Sequence, residues 1–151
     1  ISGQLCGDTF EISPKVSSQY VSGLIFALSL LENDTTLELS SKLLGGQYVD
    51  ITTSVMSDFC VNAEKHNTCY KIKGAQKYTV PKNKEVNVEG DWSQAAFFMC
   101  AAAINGCITL KDMNMESAQG DMKIISLLKN FGADVTINGN DLTVKKSNFS
   151  T

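Results

Sequence analysis

Ser18-Gln19-Tyr20-Val21-Ser22-Gly23-Leu24-Ile25-Phe26-Ala27-Leu28-Ser29-Leu30-Leu31, stopped by Asn33-Asp34 and followed by Thr35-Thr36-Leu37-Glu38-Leu39, reads as an apolar helix running into an alternating strand. The same succession, with a second helix that ends at Phe59 in the first instance, starts again at Ser93-Gln94. In the later half of each copy the register is constant: Phe59 matches Phe131, Tyr70 matches Leu142, Ile72 matches Val144 and Lys73 matches Lys145. A unit of about seventy residues is too long for a small solenoid repeat and points to two copies of one αβ module. Duplication of this kind often builds a binding site between copies while only one copy keeps the chemistry.

On either side of that stretch, Phe10 to Ile12 reads as a short strand, Pro14 makes a turn, and Ser17 or Ser18 caps the helix from Gln19 to Leu31. Gly45 and Gly46 lie in a loop before a helix from Tyr48 to Phe59 with apolar spacing at Val49, Thr53, Val55, Met56 and Phe59. Strands near Val61 to Glu64 and Cys69 to Ile72 complete a strand-helix-strand-helix-strand-strand unit. Lys77, Pro81, Lys82, Asn83 and Lys84 mark a polar linker, giving a unit over 1–76, a linker or hinge region over 77–88 and a second unit over 89–151. In the second unit Val86 to Glu89 is expected as a strand, Asp91 as the cap of a helix from Trp92 to Ile104, and Cys107 to Lys111 as a strand. Gly132 ends the helix that finishes near Phe131, and Asn138-Gly139-Asn140-Asp141 joins a hairpin of Val135 to Ile137 and Leu142 to Lys145.

The chain has 151 residues, 43% of them hydrophobic, enough for a sizeable core in one domain or two small ones. Its net charge of -3 is spread along the chain without a basic stripe, which argues against nucleic acid as a partner. All 13 cationic residues are lysines, so an anion site here must use lysine, hydroxyls and backbone N–H groups instead of an arginine fork. Cys6, Cys60, Cys69, Cys100 and Cys107 form an odd set with no C-x-x-C pair and read as reduced core residues of a cytoplasmic protein. No segment resembles a signal peptide, and the apolar runs at Leu24 to Leu31 and Ala95 to Ile104 are too short to span a bilayer, so no membrane partner is expected. A start at Ile1 suggests a fragment or processed piece of a longer protein.

Ser17, Ser18 and Gln19 are the candidates for chemistry. Two hydroxyls and an amide at a helix N-terminus, where unpaired N–H groups carry partial positive charge, can receive a phosphate without a full cation. Ordinary capping explains the same residues, and on sequence grounds alone it is the stronger reading. His66, between Lys65 and Asn67, has no metal-ligand spacing around it and reads as a solvated loop residue. Asp91 and Asp121 read as helix caps, and Trp92 with Phe97 and Phe98 as core packing.

Four ordered motifs then coincide: Val16-Ser17-Ser18-Gln19-Tyr20-Val21-Ser22-Gly23-Leu24, Gln47-Tyr48-Val49-Asp50-Ile51-Thr52, Val88-Glu89-Gly90-Asp91-Trp92-Ser93-Gln94-Ala95-Ala96-Phe97-Phe98, and Ser117-Ala118-Gln119-Gly120-Asp121 with Phe131-Gly132-Ala133. Over almost its whole length the chain resembles the 5-enolpyruvylshikimate-3-phosphate synthase family. That resemblance implies an α/β (α+β) fold, two βαβαββ units of the inside-out α/β barrel of the enolpyruvyl transferases, with a hinge close to Lys77 to Val88. It implies a parent that transfers enolpyruvyl from phosphoenolpyruvate to the 5-hydroxyl of shikimate 3-phosphate, with release of phosphate and without a cofactor or metal. Ser17, Ser18 and Gln19 match its shikimate-3-phosphate contacts, Gln19 also lying near the phosphoenolpyruvate, and Tyr48 matches an aromatic beside the same substrate. Gly45 stands where the family commonly has a substrate-contacting serine. The family's lysine and arginine clamps and its proton-handling aspartate and glutamate belong to motifs outside this chain, so no catalytic residue is expected within it and the piece alone should be inactive. Exposed faces of such a piece would favour self-association. The alternative is a non-catalytic α/β module derived from such an enzyme; the related UDP-N-acetylglucosamine transferases lack the Ser-Ser-Gln-Tyr run.

Overall fold

The computed structural model describes residues 5, 8–13, 15 and 17–147; the expected turn at Pro14, Val16 of the first motif and Cys6 lie outside the described residues. The chain separates into two compact units, residues 1–86 and 87–151.

Unit 1 runs β1 (Thr9–Ile12), α1 (Ser18–Leu28), β2 (Thr35–Leu39), α2 (Gly46–Asp58), β3 (Ala63–His66) and β4 (Cys69–Ile72). Its sheet order is β1-β2-β4-β3, with β1 parallel to β2 and the other pairs antiparallel. A parallel pair needs a crossover, and α1 supplies it. Val21, Ile25 and Leu28 of α1, Val49 and Met56 of α2, and Leu37, Leu39, Tyr70 and Ile72 of the sheet form one buried core with Val61. The alternation seen at Thr35 to Leu39 is realised as Thr35, Leu37 and Leu39 inward, with Glu38 exposed.

Unit 2 runs α3 (Trp92–Asn105), β5 (Cys107–Leu110), a 3₁₀ turn (Gly120–Lys123), α4 (Ile124–Asn130), β6 (Asp134–Asn138) and β7 (Asp141–Lys145), with sheet order β5-β7-β6. Apart from the 3₁₀ turn, these elements correspond in order to α1, β2, α2, β3 and β4. The leading strand expected at Val86 to Glu89 does not form: no described strand pairs with β5 as β1 pairs with β2, and Val88 is 91% exposed. Two valines at alternate positions cannot make a strand without a ladder to join.

The register of the hairpins repeats closely. Ala63 faces Ile72 as Val135 faces Val144, and Lys65 faces Tyr70 as Ile137 faces Leu142. The first turn residue has positive φ in both copies, Asn67 (φ 51) and Gly139 (φ 58). In the first helices, however, Val21, Ile25, Leu28 and Ser29 answer the buried Ala95, Met99, Ala102 and Ala103. That alignment makes Ser93, not Gln94, the counterpart of Gln19, one residue away from the match of Ser18-Gln19 with Ser93-Gln94.

Other departures have local causes. Helix α1 ends at Leu28, not Leu31, because Leu30 and Leu31 bond back three residues, to Ala27 and Leu28, tightening the last turn. Phe97 (73% exposed) and Phe98 (57%) are not core: α3 buries Trp92, Ala95, Met99, Ala102 and Ala103, a face that leaves both phenylalanines outside. Cys60 and Cys107 are likewise exposed, while Cys69 and Cys100 are partly buried; all four thiols are free.

The second helix of each copy ends in the same Schellman motif. Val61 N–H donates to Met56 and Cys60 N–H to Ser57; in the copy, Ala133 N–H donates to Leu128 and Gly132 N–H to Lys129. The left-handed position is Gly132 (φ 86) in one and Cys60 (φ 64) in the other. A Cβ at this conformation costs about 1 kcal/mol. Cys60→Gly should therefore stabilise unit 1 by about 1 kcal/mol and Gly132→Ala destabilise unit 2 by a similar amount, read as shifts in urea midpoints at constant slope.

Candidate functional site

Because β1 and β2 are parallel and each is followed by a helix, α1 and α2 both start at the same end of the unit 1 sheet. A hydroxyl pair, Ser22 Oγ to Thr52 Oγ1 at 2.8 Å, ties the helices together one turn in, and Thr52 Oγ1 also donates to the Tyr48 carbonyl at 2.9 Å. Neither residue stood out in the sequence beyond lying within the motifs.

Ser17 is the N-cap of α1, its Oγ accepting the Gln19 N–H at 3.1 Å. The capping reading therefore holds for Ser17. Ser18 is already helical, and its hydroxyl lies 4.0 Å from where a Cβ on Gly45 would stand; the Tyr48 ring lies 3.4 Å from the same point. Ser18, Gly45 and Tyr48 thus meet. Gly45 caps α2 in the left-handed conformation (φ 73) without any side-chain cap, a backbone that serine adopts only with strain. Gln19 and Tyr48 are exposed, and neither they nor Ser18 spend a side-chain hydrogen bond among the described residues. The result is two helix N-termini with neutral caps, no acid in either first turn, and uncommitted polar side chains beside them. Such an end attracts an anion.

Unit 2 treats the same positions differently. Asp91 caps α3 by accepting the Gln94 N–H at 3.1 Å, as expected. Asp121 is not a cap but sits in the first turn of the 3₁₀ segment and accepts from Ser93 Oγ at 2.7 Å. The helix-start charge in this copy is met by the chain's own carboxylates. Glu89, absent from the sequence candidates, accepts from Asn114 Nδ2, Ser117 Oγ and Gln119 Nε2. Partial burial works to raise its carboxyl, but these three hydrogen bonds outweigh it and hold the group below the usual carboxylate range. Its only sequence signal was its place in the third motif.

His66 is the last residue of β3, exposed, with Nε2 3.5 Å from Glu64. Among the described residues no group of three His, Cys, Asp or Glu could hold a metal ion, and no helix is long and apolar enough to cross a membrane. In a further cavity of unit 1, Lys73 is already committed to Asp34 at 2.6 Å. That hydrogen bond, with one from Gly74 N–H, lowers the Asp34 pKa, and the same bond raises that of Lys73.

The family model for EPSP synthase (3-phosphoshikimate 1-carboxyvinyltransferase) matches residues 1–150. The 3-phosphoshikimate 1-carboxyvinyltransferase of Brachyspira hyodysenteriae is 38% identical over 150 residues, covering 98% of this chain and 35% of that protein. That of Clostridium acetobutylicum is 40% identical over 138 residues, covering 89% of this chain and 31% of its own length. A solved EPSP synthase from Acinetobacter baumannii superposes with a TM-score of 0.72 at 25% identity, covering 95% of this chain and 32% of that one. The chain spans about a third of the length of these relatives.

Inorganic phosphate titrated into the chain should move amide resonances of Ser17 to Tyr20 and Gly45 to Tyr48, with weak affinity because partial contacts leave most of the ordering cost of binding uncompensated. Shifts confined to Asp91 to Gln94 and Asp121 to Lys123 would contradict the asymmetry between the copies.

Proposed function

The chain belongs to the EPSP synthase family, and on that premise we propose that it is a segment of an enzyme transferring enolpyruvyl from phosphoenolpyruvate to shikimate 3-phosphate on the route to chorismate. The observation that supports this reading most is the meeting of Ser18, Gly45 and Tyr48 where α1 and α2 begin. There the phosphate of shikimate 3-phosphate is received by the Ser17 and Ser18 hydroxyls and the free N–H groups of α1, Tyr48 lies against the substrate, and Gln19 reaches toward the phosphoenolpyruvate. At Gly45 no hydroxyl is offered, so any contact from that residue comes from its backbone.

The groups that clamp phosphoenolpyruvate and move protons come from elsewhere in the parent, which works in the cytoplasm. General acid–base and electrostatic catalysis both need such groups within reach of the reacting atoms, so the 151-residue piece is inactive by itself. The hinge of the parent falls within 77–88. The near side of that stretch is bound to unit 1, through Tyr78 to the Ser29 hydroxyl and Thr79 N–H to the Phe59 carbonyl. In the isolated piece the exposed Phe97, Phe98 and Ile104 of α3 drive self-association.

Gln19→Ala in the full-length parent should lower kcat and kcat/KM together, on the order of a hundredfold, the scale of one lost transition-state donor. Gln94→Ala, exposed on α3 and outside the site, should change neither. Equal loss from both, at unchanged stability, would overturn the assignment of the site to unit 1. Turnover by the purified 151-residue chain, followed as phosphate release, would overturn its reading as an incomplete segment.

A further inference from the structure

Three side-chain donors converge on the Glu89 carboxylate: Asn114 Nδ2 at 2.7 Å, Ser117 Oγ at 2.9 Å and Gln119 Nε2 at 2.9 Å. All three come from one loop, and each is held by other bonds. Asn114 Oδ1 accepts the Glu116 N–H at 2.9 Å, and its carbonyl accepts the Trp92 indole N–H at 3.2 Å. Ser117 Oγ accepts the Gln119 N–H at 3.1 Å. Gln119 spans the gap to the helix start, its Oε1 accepting the Trp92 N–H at 2.9 Å while Nε2 also donates to the Gly90 carbonyl at 2.9 Å. Trp92 is fully buried, so the loop is anchored to the core of unit 2.

Donors aimed in this way by bonds that do not involve the carboxylate are a preformed receptor. We propose that Asn114, Ser117 and Gln119 form a carboxylate-binding cradle in unit 2 whose resident ligand is the chain's own Glu89, and that this internal ligand fixes residues 89–91 so that Asp91 caps α3. The cradle recognises two carboxylate oxygens, not the tether that delivers them. With the Glu89 side chain removed, it accepts a small free carboxylate of the size of acetate. An amide in its place does not serve, because its NH₂ faces groups that are themselves donors. Glu89 is thus a positioning residue, fastening the chain to unit 2 just after the stretch that links the two units.

The test is the thermal midpoint of the full 151-residue chain in sodium acetate against sodium chloride at equal ionic strength, near pH 7. Glu89→Ala should melt lower by about 5–10 °C, the size expected for losing charge-assisted hydrogen bonds in a domain of this length. Acetate should restore part of that loss and chloride none, while Glu89→Gln, whose side chain still fills the cradle, should gain nothing from acetate. A Glu89→Ala chain as stable as the original, or one that chloride restores equally, overturns the proposal. Should Glu89→Ala fail to fold, Ser117→Ala decides. With one donor gone, the Glu89 side-chain carboxyl, followed by ¹³C NMR, should titrate at higher pH, and an unchanged titration overturns the cradle.

Discussion

The parallel pairing of β1 with β2 is the constraint on which the candidate site depends. Thr9 to Ile12 lies in register with Thr36 to Leu39, so the helices that follow the two strands must run the same way across one face of the sheet. Their N-termini then fall together, with no need for any specific contact between Ser17-Ser18 and Gly45-Tyr48. The Ser22 to Thr52 hydrogen bond trims this arrangement, and the shared core of Val21, Ile25, Val49 and Met56 over Leu37 and Tyr70 holds it. An antiparallel β1 would place the start of α1 at the opposite end and dissolve the site.

The internal repeat supplies a comparison within a single molecule. Both copies use the same hairpin register and the same Schellman ending for the second helix, so backbone architecture is held in common. What differs is the chemistry at the helix starts. Unit 1 has a serine cap and a glycine cap with no acid in the first turn, whereas unit 2 has Asp91, Asp121 and, close by, Glu89. Charge at a helix N-terminus can be met by the chain itself or left for a ligand. The two copies make opposite choices, so of the two only unit 1 leaves its helix starts without a carboxylate.

Much of this was legible in the residues. The alternation of Thr35 to Leu39, the caps at Ser17 and Asp91, and the hairpin turn after Asn138 are local patterns whose physics is local, and the structure has them. The strand at Val86 to Glu89 failed because a strand exists only through its partner, and alternation cannot reveal whether a partner is present. Phe97 and Phe98 lie outside the core for a related reason: in a helix as uniformly apolar as α3, composition does not tell which face meets the sheet. The left-handed Gly45 and the donors around Glu89 depend on residues distant in sequence or on backbone angles that residue identity only hints at. Glu89, Ser117 and Gln119 lie within the family motifs, but a motif does not reveal which of its side chains bond to each other.

On the function proposed above, unit 1 binds an anion because its helix starts are left without negative charge. Ser17→Asp tests this directly, since aspartate caps a helix as well as serine while placing a carboxylate where the anion would sit. Calorimetric titration of shikimate 3-phosphate into the full-length parent should show affinity falling by at least about tenfold, or roughly 1.4 kcal/mol, with the unfolding midpoint unchanged. Undiminished affinity in a stable Ser17→Asp protein would show that the uncharged start of α1 is not what holds the anion.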